Sequence, residues 1–142
     1  MGRTAEAEWK GDLKGGNGRV KLGSGAYEGN YSFATRFENG AGANPEELVG
    51  AAHAGCYSMA LANSLATAGF PATSVHSKAD VTLGKDNIGF LITDITLTVT
   101  AAVPKIDNAT FDQHVQKINK SCIIQRALGA VPKIAVNATL KN

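Results

Sequence analysis

The side chains that could do chemistry here are two cysteines, Cys56 and Cys122, with Arg36, Glu46 and His53 as candidate helpers. A thiol reacts as its thiolate, and a thiolate needs a positive partner. Cys56 lies in the middle of a small-residue, nearly uncharged run from Asn44 to Leu61. That run reads as a helix, and the field of a helix N-terminus fades within its first turn. Another group must therefore favour the Cys56 anion, and a guanidinium is the apt one. Arg36 comes just before the run, flanked by Phe33 and Phe37. Glu46 could hold such an arginine through a bidentate pair; Glu47 is better placed for a capping role. Glu46 and Cys56 are ten residues apart on the same helix, or roughly 15 Å. Within one chain the two cannot share one arginine, but two copies related by a two-fold axis could bring them together.

The elements around these residues follow from periodicity. Ala5, Ala7 and Trp9 alternate with polar residues, a turn at Gly15-Gly16-Asn17-Gly18 leads to Val20 and Leu22, and Tyr31, Phe33 and Thr35 predict a third strand ending near Arg36. Asn44-Pro45-Glu46-Glu47 is a helix start: Asn44 caps, Pro45 suits the first position, and Glu47 sits three residues after the cap. The helix is expected to reach Ala68, where Gly69 stops it. Its length is then about 23 residues, or roughly 35 Å. It carries no charge beyond Glu47, and Gly50, Ala51, Ala54, Gly55, Ser58 and Ala62 would let another helix approach closely. Two long strands follow. The apolar parity changes at Thr93-Asp94, which predicts a bulge. A second helix over Thr110–Lys120 has Phe111, Val115 and Ile118 as its stripe and Thr110 with Gln113 as a capping box. Cys122 follows, opening a short helix toward Leu128, and Ile134 to Leu140 make the last strand. The order is β-β-β-α-β-β-α-β, an α+β fold. It forms one domain over residues 1–142.

A chain of this size can hardly wrap a long helix that is apolar all round. This predicts a homodimer that buries two copies of that helix together.

A formal net charge of +2, with no run of Lys or Arg, gives no footprint for nucleic acid or a membrane surface. Met1-Gly2-Arg3-Thr4-Ala5-Glu6 opens on charge with no apolar stretch behind it, which predicts no secretory leader. The expected location is the cytoplasm. There a pair of cysteines is free, or pairs for catalysis or redox sensing rather than as a structural staple. His53, Cys56, His114 and Cys122 could in principle make a zinc set, but ordinary helix-face histidines are the better reading, and no metal or cofactor is expected.

Thr35-Arg36-Phe37-Glu38, Asn44-Pro45-Glu46-Glu47-Leu48 and the run from Ala51 to Leu61 resemble the signature of the osmotically inducible protein C and organic hydroperoxide resistance family, in particular its osmotically inducible branch. The resemblance covers essentially the whole chain. It implies an intertwined homodimer with a buried long central helix and two interfacial sites. It also implies thiol-dependent reduction of organic hydroperoxides, and less well of hydrogen peroxide, to alcohols. By the same resemblance, Cys56 is the peroxidatic cysteine and Cys122 the resolving one. Arg36 activates the thiol, Glu46 orients Arg36, and the reductant is an external dithiol such as a lipoyl-bearing protein. Where the family usually has Cys-Pro-Val-Ser, this chain has Cys122-Ile123-Ile124-Gln125. It thereby loses a proline that would pre-set the first turn of the following helix.

Two other readings compete. One is a non-enzymatic dimer that binds lipid-like ligands in an apolar interfacial pocket, its cysteine pair inert. The other is a structural dimer whose cysteines form an inert bridge.

Overall fold

The structure, a computed structural model, describes residues 1–141. The chain forms two compact units, Met1–Leu48 and the part from Val49 onward.

The first unit is a three-stranded antiparallel sheet of β1 (Ala5–Lys10), β2 (Asn17–Leu22) and β3 (Glu28–Tyr31), in that order. Chain alternation does not carry on to Arg36. After Tyr31 the backbone turns into a short helix, α1 (Phe33–Phe37). Ser32 causes the turn: its hydroxyl accepts from the Thr35 amide, while the Thr35 hydroxyl accepts from the Ser32 amide. This reciprocal cap ends the strand and starts a helix within one residue.

α2 (Pro45–Thr67) has the predicted extent. Asn44 Oδ1 accepts from the Glu47 amide at 2.8 Å, and Gly69 adopts φ +91°, a left-handed stop that glycine takes without strain. Along α2, His53, Tyr57, Leu61 and Leu65 recur every four residues, and all are fully buried. The opposite side is open in the single chain: Ala51, Ala52, Gly55 and Ala66 are exposed, and Met59 is 77% exposed. Not all the small residues serve a helix partner. Gly50 lies against Ala79 and Val81, and Ser58 donates to Ser77 at 2.8 Å, so these two face a strand.

That strand is β4 (Ser74–Lys85). It pairs antiparallel with the central β5 (Phe90–Ala102), and β5 pairs parallel with β6 (Lys133–Leu140). Thr93 is skipped in the β4–β5 register, as the parity change predicts. Gly84 faces it, and a Cβ there would press on the Thr93 methyl, so a larger residue would force the Thr93 side chain to shift. β5 reaches β6 through α3 (Asn108–Ser121) and α4 (Ile123–Ala127). α3 starts two residues before the predicted Thr110, because Asp107 is the cap; its carboxylate accepts from the Thr110 amide at 2.7 Å. Phe111, Val115 and Ile118 are buried as predicted, packed with the α2 stripe, Leu97, Val99 and Cys122. Among the described residues no helix is long and apolar enough to cross a membrane.

Candidate active site

The predicted site residues form two pairs. In the first unit Arg36 meets Glu46. Arg36 Nη2 donates to Glu46 Oε1 at 2.7 Å, and Nε donates to Oε1 and Oε2 at 3.1 and 3.2 Å. Glu46 is nearly buried, while the arginine is partly exposed. The carboxylate takes the Nε–Nη2 edge of the guanidinium, and the Nη1 edge lies outside the pair. Aromatic rings brace it: Arg36 Cζ is 5.4 Å from the Phe37 ring centre, and the Phe37 ring in turn packs at a tilt against Phe33, with ring centres 5.0 Å apart. Asn44 ties the two helices, since Nδ2 donates to the Thr35 carbonyl at 3.1 Å while Oδ1 caps α2. Arg36 thus sits on a capped helical turn rather than at a strand end.

In the second unit the two thiols, both free, approach to 3.5 Å, with Cys122 donating to Cys56. Their exposure differs: Cys56 is partly open and Cys122 is 1% exposed. Burial pushes the Cys122 thiol up from its ordinary range, and the neighbouring Cys56 sulfur adds to that. The backbone amides of Gln125 and Ile124 pull the other way without prevailing. Cys122 ends α3 and opens α4, with φ −56° and ψ 122°, so α4 forms without a proline at its first position. Ile123 stands there, 74% exposed. A disulfide has its sulfurs about 2.05 Å apart. Bonding the two would therefore close a gap of about 1.5 Å from the 3.5 Å seen.

Tyr57 and Asn119, which the sequence did not single out, join His53 and Gln125 in a polar network beside the thiols. Tyr57, next to Cys56, is fully buried and donates to Asn119 Oδ1 at 2.7 Å. Burial first, and Cys122 second, push its phenol up, so it stays a donor. His53 is not a surface helix histidine. It is fully buried, with Nε2 3.0 Å from Gln125 Oε1, and Gln125 Nε2 donates to the Asn119 carbonyl at 3.0 Å. The four-residue spacing of His53 with Tyr57, Leu61 and Leu65 was the sequence signal for its burial. His114 pairs with the Ser64 hydroxyl at 2.8 Å. Among the described residues no three His, Cys, Asp or Glu side chains gather as a metal site would need.

A close thiol pair with one buried, protonated member can undergo reversible oxidation, and an anchored guanidinium can stabilise an anion. Comparison with known proteins places the chain in a family. The profile of the family described as OsmC-like protein matches residues 38–137. Peroxiredoxin OsmC of Escherichia coli (strain K12) is 46% identical over 141 residues, covering 99% of this chain and 97% of that protein. Peroxiredoxin OsmC of Shigella flexneri gives the same figures. Among solved structures, the organic hydroperoxide resistance protein OhrB of Bacillus subtilis has a TM-score of 0.68 at 22% identity, covering 97% of this chain and 98% of that one. An OsmC-like protein from Mycoplasma pneumoniae has a TM-score of 0.76 at 18% identity, covering 100% of this chain and 99% of that one. The two structures share the α+β fold, and the sequence matches go further: this chain belongs to the OsmC-like protein family.

Proposed function

We propose that the chain is a thiol peroxidase that reduces organic hydroperoxides to alcohols, and hydrogen peroxide less well, protecting against oxidative stress. The observation that carries this reading is the 3.5 Å approach of Cys56 and Cys122. Its relatives' name, peroxiredoxin, supports it. The Cys56 thiolate attacks the terminal peroxide oxygen. The O–O bond breaks, the alkoxide leaves and takes a proton as the alcohol, and Cys56 becomes a sulfenic acid. Arg36 stabilises the thiolate and the charge growing on the leaving oxygen. The Cys122 thiolate then attacks the sulfenic sulfur, the S–S bond forms, and the oxygen leaves as water. A dithiol, such as a lipoyl group on a protein, returns the pair to thiols by exchange.

The reading includes a homodimer. Glu46 holds Arg36 at the start of α2, about ten residues of helix from Cys56, so the arginine serves Cys56 of a second copy. The exposed small-residue face around Met59 is what such a copy would cover. The two compact units work as one OsmC-like domain, since the match to the E. coli protein runs over 99% of the chain. An apolar hollow of about 240 Å³ in the first unit, lined by Val20, Tyr31, Ala43, Pro45 and Leu48, suits the carbon skeleton of an organic hydroperoxide. A free thiol pair suits a reducing compartment such as the cytoplasm.

The direct test mixes reduced protein with cumene hydroperoxide and follows peroxide loss alongside mass spectrometry of the thiols. The protein is expected to consume peroxide, release the alcohol and link Cys56 to Cys122. With Cys122→Ser, the first equivalent is consumed at the parent rate. Turnover then stalls, and Cys56 accumulates as sulfenic and sulfinic acid. No peroxide loss, or a Cys122→Ser variant that cycles like the parent, would refute the mechanism.

A second expectation concerns pH. Burial holds Cys122 mostly protonated near neutrality, so its thiolate fraction rises about tenfold per pH unit until its raised pKa is reached. Disulfide closure, read in rapid-mixing experiments by intrinsic fluorescence or acid quench, should therefore accelerate about tenfold from pH 6.5 to 7.5. A flat profile would mean that thiolate formation at Cys122 does not limit closure.

A further inference from the structure

We propose that Gln125 and His53 form a positioning pair that holds the Cys122 segment against Cys56 for disulfide closure; this rests on the peroxidase reading above. Gln125 is the third residue of α4, and its amide reaches to both sides of Cys122. Nε2 donates to the carbonyl of Asn119, in the last turn of α3, and Oε1 meets Nε2 of His53, one turn before Cys56 on α2. The Asn119 carbonyl fixes the orientation of the amide, because the flipped amide would set oxygen against oxygen. Oε1 therefore faces His53, and the imidazole carries its proton on Nε2. Tyr57, donating to Asn119 Oδ1, ties the same end of α3 to α2 a second time.

Two further observations make this more than a packing contact. First, His53 Nδ1 is buried and has no hydrogen-bond partner. An apolar side chain, as at Leu61 and Leu65 on the same stripe, would fill that site without leaving a polar atom unpaired; what the imidazole adds there is its one bond, to Gln125. Second, Cys122 sits at the joint between two helices, its side chain making no cap bond to α4, and no proline fixes the next φ. The Gln125 bridge provides the restraint that proline would otherwise give. The step it serves is the attack of the Cys122 sulfur on the Cys56 sulfenic sulfur: the S–S bond forms, the S–O bond breaks, and water leaves. That step gains from holding the two sulfurs near contact.

The experiment uses the full chain and three variants. Gln125→Met keeps the length and volume of the side chain and loses both hydrogen bonds. His53→Phe keeps a ring in the buried site, and the third variant combines the two. In single-turnover mixing with cumene hydroperoxide, each variant is expected to form the Cys56 sulfenic acid at the parent rate, within about twofold, but to close the disulfide about tenfold more slowly. Sulfinic Cys56 should rise accordingly at equal peroxide. The double variant should be no slower than the slower single one, the sign of one coupled pair. Parent-like closure in Gln125→Met, an equal slowing of the first step, or additive effects of the two changes would each overturn the proposal. A second readout needs no peroxide: in glutathione redox buffers, the effective molarity of Cys122 toward Cys56 should fall about tenfold in Gln125→Met. If the parent ignores hydroperoxide while this equilibrium still shifts, the peroxidase reading fails and the positioning pair stands. If the equilibrium does not shift, the pair fails.

Discussion

Cys56→Ser is expected to lower steady-state hydroperoxide reduction by at least about a thousandfold, the scale on which enzymes lose activity when a covalent nucleophile is removed. The change exchanges one atom at a partly exposed position and leaves the α2 stripe of Tyr57, Leu61 and Leu65 intact, so folding should not be the cause of any loss. What disappears is the chemistry. A serine hydroxyl stays protonated at neutral pH, and its oxygen cannot accept the peroxide's terminal oxygen and pass it on as water. Cys122 cannot take over. It is 1% exposed, and burial keeps its thiol protonated, so it can meet neither a bulky hydroperoxide nor the need for an anion. A coupled assay with dithiothreitol and cumene hydroperoxide measures the loss. Full activity in Cys56→Ser would rule out this sulfur as the peroxidatic one, and the lipid-binding reading would then regain ground, since ligand affinity would survive the substitution.

The sequence made the site's components legible, but not all of the joints between them. α2 was readable because its ends carry strong local signals: Asn44 caps it, and Gly69 supplies the left-handed stop. The β4–β5 bulge was readable because a parity change in one strand cannot be accommodated without an extra residue, and Thr93 is that residue. α1 was not readable, since Tyr31, Phe33 and Thr35 alternate as strand residues do. Five residues hold too few turns to show a helical period, and the two Ser32–Thr35 hydrogen bonds decide the matter. At α3, Thr110 looked like the cap, yet Asp107 takes the Thr110 amide and also accepts from the Thr110 hydroxyl at 2.9 Å. The Arg36–Glu46 pair was readable from residue types, but its bidentate geometry depends on α1. The His53–Gln125 bond joins positions 72 residues apart, and no local pattern points to it.

Arg36→Ala is expected to slow the reaction of Cys56 with hydroperoxide by about two to three orders of magnitude, the loss seen when one pre-organised donor to a developing anion is removed. The arginine is held in place from two sides. Glu46, nearly buried, grips its Nε–Nη2 edge, and the Phe37 ring lies under the guanidinium. The group is therefore fixed before substrate arrives and loses little freedom in the reaction. Arg36→Lys should recover only part of the rate, because an ammonium cannot make the two-point contact with Glu46 while presenting another edge to the sulfur. The sharper test asks whose cysteine the arginine serves. Neither Arg36→Ala nor Cys56→Ser protein should be active alone. In a heterodimer, however, the first supplies an intact Cys56 and the second an intact Arg36. If the arginine acts on the second copy, equal mixing after subunit exchange gives one complete site in half of the dimers, about a quarter of the parent activity. If it acts within its own chain, no mixture recovers any, because each chain then lacks one half of its own site.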